Sequence, residues 1–305
     1  NSGGSNSGSS NSGGSNSGSS NSSSSVGENL KNSNLNNANL KKANLKNADL
    51  SGSKLKQANL KQADLGGAKL KNTDLTRAKL KKANLKSANL KDAKLIRADL
   101  TDAELNNAEL ENANLRNSKL KKAKLNDAKL KGANLTSAKL EKADLSNASL
   151  NKAKLRKADL TKANLKNAVL KRAILDKADL AEANLAYASL NSAKLKKANL
   201  TKAYLKNASL KRATLTDANL SGANLKNANL FKADLKRANL SNADLTEADL
   251  NKADLSFANL RNAKLRNANL TDASLYGIAE TKLASCPRLL PIGWSCNSEN
   301  YLQKI

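Results

Sequence analysis

Residues 81–100 read KKANLKSANLKDAKLIRADL, and the five-residue unit in this stretch decides the fold. Leu occupies every fifth position from Leu30 to Leu275 without interruption, which makes fifty leucines. Ala stands two residues before Leu in 45 of the units, and the exceptions are Glu28, Ser33, Ser53, Thr73 and Ser118. The other three positions are mostly Asn, Asp, Lys, Arg, Ser or Thr, so an internal repeat governs most of the chain.

A period of five excludes both regular secondary structures. An α-helix advances about 100° per residue, so leucines five apart would spiral around it without forming an apolar stripe. In a flat strand, leucines at odd spacing would point alternately to the two faces. The pattern therefore predicts a chain that turns a corner every five residues, so that each Leu and its Ala point into a closed coil. Such coils stack through backbone hydrogen bonds into a solenoid.

The units ANLKK, ADLSG, ANLTS and ADLTK resemble the A(N/D)LXX signature of pentapeptide-repeat proteins. The resemblance covers 250 of the 305 residues. It implies an all-β fold, a right-handed quadrilateral β-helix with four pentapeptides in each coil. Fifty units then predict about 12.5 coils, and at about 4.8 Å per coil the rod is roughly 60 Å long.

The composition divides the chain into three segments. Residues 1–25 contain only Asn, Ser and Gly, which predicts a low-complexity tail or spacer, although their period of five is in phase with the repeat. Residues 26–275 form the predicted β-helix. Residues 276–305 hold both prolines, both cysteines and the only Trp, and we expect them to form a small C-terminal cap, because the end of a solenoid must be covered. The side chains expected to pack in the cap are Trp294, Leu289, Leu290, Ile292 and Leu302.

Two further features of the sequence are candidate structural sites. Cys286 and Cys296 have nine residues between them, which favours a disulfide that staples the cap over free thiols or an inter-chain bridge. The position three before Leu carries Asn in seven of the thirteen units that would stack above Leu30. We interpret these residues as a hydrogen-bonded amide ladder or as simple turn residues, in preference to a ligand-binding face. They are Asn47, Asn107, Asn147, Asn167, Asn207, Asn227 and Asn267.

The composition also narrows the range of functions. The chain has 53 Lys and Arg, 26 Asp and Glu, and no His, so His-based catalysis and zinc hydrolases are excluded. We predict no enzymatic activity, no cofactor, no metal site, no small-molecule substrate and no membrane span. The net charge of +27 attracts polyanions, or it keeps a regular β-structure from aggregating. Some pentapeptide-repeat proteins mimic DNA, but that mechanism needs an acidic rod, and this rod is basic.

The preferred interpretation is a non-enzymatic structural protein that self-associates end to end into fibres or a matrix. The first residue is Asn and no Met is present, which suggests a processed or trimmed chain. The two cysteines suggest an oxidising compartment, and the segment CPRLLPIGWSC resembles tails of exported bacterial proteins. We therefore expect an extracellular or bacterial cell-surface location. The rival hypothesis is a basic binding module that adheres to nucleic acid, acidic polysaccharide or a cell-wall polymer.

Overall fold

The repeat forms a four-sided solenoid. The computed structural model describes residues 27–278 and 280–305, so the predicted tail, residues 1–25, lies outside the described residues. Parallel β-bridges join residues that are twenty apart, from Asn29–Asp49 up to Asp254–Ser274. Each coil therefore takes twenty residues, which is four pentapeptides, and the described part of the chain contains no α-helix.

The Leu and Ala side chains fill the interior, as the period predicts. From Leu45 onward, the repeat leucines and their alanines are buried along the whole rod. Three of the units without Ala carry Ser53, Thr73 or Ser118 at that position, and these side chains are buried as well. Each hydroxyl donates to a leucine carbonyl, at 2.5, 2.8 and 2.7 Å respectively. The buried hydroxyls are therefore tolerated because their hydrogen bonds are made.

All five backbone N–H groups are bonded in the pentapeptide at residues 146–150. Two of the bonds stay within the coil, two reach the following coil and one reaches the preceding coil. The acceptors, in chain order, are the Asp144 carboxylate at 3.0 Å and the carbonyls of Lys166 at 2.9 Å, Leu145 at 3.1 Å, Ala128 at 2.9 Å and Val169 at 2.7 Å. Because buried N–H groups must be paired, stacking between coils is part of what folds each unit.

Each corner is a β-turn with a left-handed residue. The second residue after Leu has a φ between 54° and 60° wherever it is not Gly, from Asn32 to Asp272. Positive φ at the second central residue is the signature of a type II turn, in which the Leu carbonyl accepts from the N–H three residues later. The side-chain oxygen of Asn or Asp before Leu accepts from the first turn residue, as Asp49 does from Ser51 at 3.1 Å. This bond explains the preference for Asn or Asp at that position.

The end of the rod combines a further partial coil with a hairpin. Lys264 bridges Ser285 and Asn269 bridges Leu289 in parallel, so the stack continues past the last unit of the repeat. The strands β1, Trp294–Cys296, and β2, Leu302–Lys304, then pair antiparallel. Buried or partly buried against the last leucines are Ile278, Leu283, Leu302, Leu290 and Trp294.

Two of the expected packing residues lie on the outside. Leu289 is 46% exposed because it bridges Asn269 at a position whose side chains point away from the coil. Ile292 is fully exposed in the turn between Pro291 and Gly293. Leu289 and Ile292 are therefore corrections to the sequence prediction, whereas Leu290, Trp294 and Leu302 pack inward as expected.

Candidate functional surfaces

A disulfide joins Cys286 to Cys296 in the structure, with 6.0 Å between the two Cα atoms. Cys286 follows the bridge at Ser285, and Cys296 ends β1, where it packs against the core. The bond therefore ties the hairpin to the last partial coil.

We expect loss of this disulfide to loosen only the C-terminal end. In Cys286→Ser/Cys296→Ser, opening of the hairpin becomes easier by roughly 2–3 kcal/mol, the entropy of a loop of this length. The repeat keeps its stability, since solenoid units are stabilised by their nearest neighbours. Hydrogen exchange measures how readily the hairpin and the repeat each open. Faster exchange of β2 with unchanged exchange of the repeat is the expected result, and equal loss in both regions contradicts it.

The asparagines of the predicted ladder occupy the left-handed turn position. All seven have φ values between 57° and 60°, namely Asn47, Asn107, Asn147, Asn167, Asn207, Asn227 and Asn267. Among the described residues, one hydrogen bond is found between two of these side-chain amides, and in it Asn167 Nδ2 donates to Asn147 Oδ1 at 3.1 Å. Other residue types interrupt the column, such as Gly67, Asp127 and Tyr187. Turn geometry therefore explains these asparagines better than a continuous ladder does.

Amide ladders lie instead at the position directly before Leu. Asn164 Nδ2 donates to Asp144 Oδ1 at 2.9 Å, and Asn184 Nδ2 donates to Asn164 Oδ1 at 3.3 Å, which links three successive coils. The same contact recurs between Asn59 and Asn39, 3.0 Å apart. The signal in the sequence was the excess of Asn and Asp at that position. These contacts add hydrogen bonds between coils on the flat faces of the rod.

The positive charge of the rod lies at its corners. The two turn positions after each Leu, over residues 31–272, hold 39 Lys and Arg against 10 Asp and Glu. The position before Leu, which forms the flat faces, holds 11 against 13. The structure therefore has four basic ridges that alternate with nearly neutral faces. This segregation depends on the turn geometry, which places the two positions after Leu at a corner and the position before Leu on a face.

Ion pairs between neighbouring coils neutralise some of the charged side chains on the faces. Glu104 lies 2.8 Å from both Lys124 and Lys86, in the neighbouring coils on either side of it. Hydrogen bonds from Lys124 and Lys86 hold the pKa of the Glu104 carboxyl below its usual value. The side chains are largely solvated, so such pairs contribute little to stability.

Exposed large hydrophobic side chains concentrate near the C-terminal end. Tyr187 and Tyr204 are the two that lie in the middle of the rod within the described ranges. The others are Phe257, Tyr276, Leu289, Ile292 and Ile305. Phe257 and Tyr276 stack edge to face in adjacent coils with ring centroids 5.1 Å apart, and the Ile305 N–H donates to the Gly293 carbonyl beside Ile292 at 2.9 Å.

The described residues hold neither a cluster of His, Cys, Asp and Glu suited to a metal ion nor a helix able to cross a membrane. The acidic side chains of the repeat lie in turns or on the faces, where they bond to backbone amides, asparagines and lysines. The candidate binding surfaces in the described part of the chain are therefore the basic ridges and the apolar C-terminal end.

The chain matches the protein-family model described as pentapeptide repeats. The match comprises eight copies between residues 29 and 277. No curated protein matches the chain at a significant level.

Solved structures similar to the chain are also pentapeptide-repeat proteins. HetL, involved in heterocyst differentiation regulation in Nostoc sp. strain PCC 7120, is 35% identical over 78% of this chain and 90% of its own, with a TM-score of 0.21. Rfr23 from Cyanothece 51142 is 34% identical over 30% of this chain, which spans 63% of Rfr23, with a TM-score of 0.29. QnrB1, a plasmid-mediated fluoroquinolone resistance protein, is 17% identical over 65% of this chain and 86% of its own, with a TM-score of 0.33.

Proposed function

The chain belongs to the pentapeptide-repeat family, and from that premise we propose that it is a non-enzymatic structural rod that joins end to end. The family fold is a right-handed quadrilateral β-helix, in which residues 26–275 make about 12.5 coils at twenty residues per coil. Residues 276–305 cap the last coil, and the outer surface of this segment contacts the next rod.

One observation carries the proposal, the concentration of exposed apolar side chains at the C-terminal end. Ile292 is fully exposed and Ile305 is 83% exposed, next to each other on the outside of the hairpin. Exposed apolar clusters of this kind mark interaction sites. The occupant we propose is the first coil of a second copy.

The N-terminal end of the described chain offers a matching surface. Leu30, Leu35 and Leu40 are only partly buried, unlike the leucines that follow. In later coils, the residue before Leu donates its N–H to the coil beneath it, as Asp49 does to Glu28 at 2.8 Å. Within the described residues, the N–H groups of Asn34 and Asn39 have no coil beneath them. A contact between such unlike ends is head to tail, and where it joins rods along one axis it does not close into a ring, so it generates a filament.

We also propose an extracellular or cell-surface location. The disulfide supports it, because such bonds persist in oxidising compartments. Mass spectrometry of protein isolated from its natural host without reductant is the test, and two free thiols contradict the location.

Sedimentation measures the assembly. We expect the full chain to form multimers whose size grows with concentration, and Ile292→Lys/Ile305→Lys to remain monomeric, because two charges would be desolvated at the contact. Tyr187→Lys/Tyr204→Lys is the matched control, since it places the same charges on exposed positions in the middle of the rod, and it should assemble like the parent. A full chain that stays monomeric at high concentration and high salt overturns the proposal.

A further inference from the structure

Two neighbouring basic ridges and the face between them form one strongly basic side of four consecutive coils. Residues 151–157, 171–177, 191–197 and 211–217 stack at twenty-residue spacing and hold twelve Lys and Arg against two Asp. We call this surface the basic patch. The opposite side of the same coils lies ten residues further along the chain. It consists of residues 161–167, 181–187, 201–207 and 221–227, and it holds five cations against one Glu.

The two Asp residues of the basic patch already form ion pairs with arginines. Asp176 lies 3.5 Å from Arg156 Nε and also accepts from the Lys196 backbone N–H at 3.2 Å. Asp217 lies 2.6 Å from Arg237 Nε, and this contact lowers the pKa of the Asp217 carboxyl. Within the described residues, no close ion pair is found for the remaining eleven cations of the patch, although the charges of Lys196 and Lys197 also help to lower the pKa of Asp217. Their mutual repulsion is relieved when an external anion binds.

The geometry of the patch is linear. Lys157, Lys177 and Lys197 occupy the same left-handed turn position in three successive coils, with φ values of 55°, 59° and 58°. They form a straight column with about 4.8 Å between coils. Lys154 and Lys194 flank this column on the adjoining face, one coil on either side of Ile174. An extended anionic chain lying along the rod therefore meets a lysine in each of these three coils, and the column ends at Asp217, which occupies the same turn position in the fourth coil.

The chemistry of the patch selects among polyanions. Its four segments contain no aromatic residue, so single-stranded nucleic acid finds no surface on which to stack its bases. In duplex DNA, each strand winds away from a straight column and returns only after a helical turn of about 34 Å. Lysines are point charges that need no planar, bidentate partner. We propose that the basic patch binds a linear acidic polysaccharide, whose anionic groups lie along the lysine column. This proposal does not depend on end-to-end assembly.

The test uses immobilised polygalacturonate and the variant Lys157→Gln/Lys177→Gln/Lys197→Gln. Gln57 and Gln62 occupy the same turn position with φ values of 58° and 60°, so the variant is compatible with the fold. We expect the parent to bind at low salt, and the variant to bind about tenfold more weakly or worse, because three charge contacts are lost. The dependence of affinity on salt should also become shallower.

The matched control is Lys122→Gln/Lys142→Gln/Lys202→Gln. These lysines have the same turn geometry, with φ values of 57°, 58° and 55°, but lie on the next corner of the rod. The control loses the same net charge, and we expect less than about a twofold change, since charges remote from the bound chain are screened. Equal weakening in both variants, or a parent that does not bind, overturns the proposal that the basic patch is the binding site. Stronger competition by short duplex DNA or by polyphosphate than by free polygalacturonate overturns the choice of polysaccharide.

Discussion

Leu150→Lys is expected to break the rod in its middle. Leu150 is completely buried in the interior of its coil, where aliphatic side chains surround it. An ammonium placed there loses its hydration and finds no anion, which costs several kcal/mol. The coils on either side lose their stacking partner, while distant coils keep theirs. Hydrogen exchange should show lost protection centred on residues 130–170, with protection retained near both ends.

Two comparisons make this expectation specific. Leu150→Ala leaves a cavity without a charge and should cost about 2–5 kcal/mol, less than the lysine. Asn151→Lys adds the same charge one residue later, at a turn position where lysine is common, and should change stability by less than about 0.5 kcal/mol. If Leu150→Lys melts like the parent in a circular dichroism scan, the leucines do not form the core.

The core was predictable because it depends only on the period. A five-residue repeat with Leu and Ala two apart leaves one way to bury both, and the family resemblance then supplies the twenty-residue coil. The ladder was assigned to Asn147 and its equivalents because the period identifies outward positions without saying which of them stack. In the structure, amide contacts between coils recur at the position directly before Leu, as between Asn184 and Asn164, whereas among the seven turn asparagines the contact found is that between Asn167 and Asn147.

The C-terminal segment was less predictable for a related reason. After the repeat ends, no period states which side chains point inward. Leu289 and Leu290 are adjacent, but only Leu290 packs against the core, since the bridge of Leu289 to Asn269 fixes the orientation of both. Ile278 and Leu283 were missed because they lie outside the cluster of Pro, Trp and Cys. Their burial follows from the partial coil, which continues the stack.

Asn147→Pro is the second change with a large expected effect, and it acts on the corner instead of the core. The φ of Asn147 is 58°, whereas proline holds φ near −65°, so the turn cannot keep its shape. The Asn147 N–H also donates to the Lys166 carbonyl at 2.9 Å, and proline has no N–H to replace it. We expect a loss of about 3 kcal/mol or more, measured by chemical denaturation.

The neighbouring substitution Ser146→Pro separates the effect of conformation from that of proline itself. Ser146 is the first central residue of the same turn, where proline is favoured, and its N–H bonds only the Asp144 side chain. Its cost should be about 1 kcal/mol, the value of that bond. Asn147→Gly permits positive φ and should cost little, and Gly67 already occupies the same column with a φ of 67°. If both prolines destabilise equally, the corner tolerates other turn geometries and φ is not what limits it. If only Asn147→Pro is severe, each corner depends on the positive φ of its left-handed residue together with the hydrogen bond that this residue donates to the next coil.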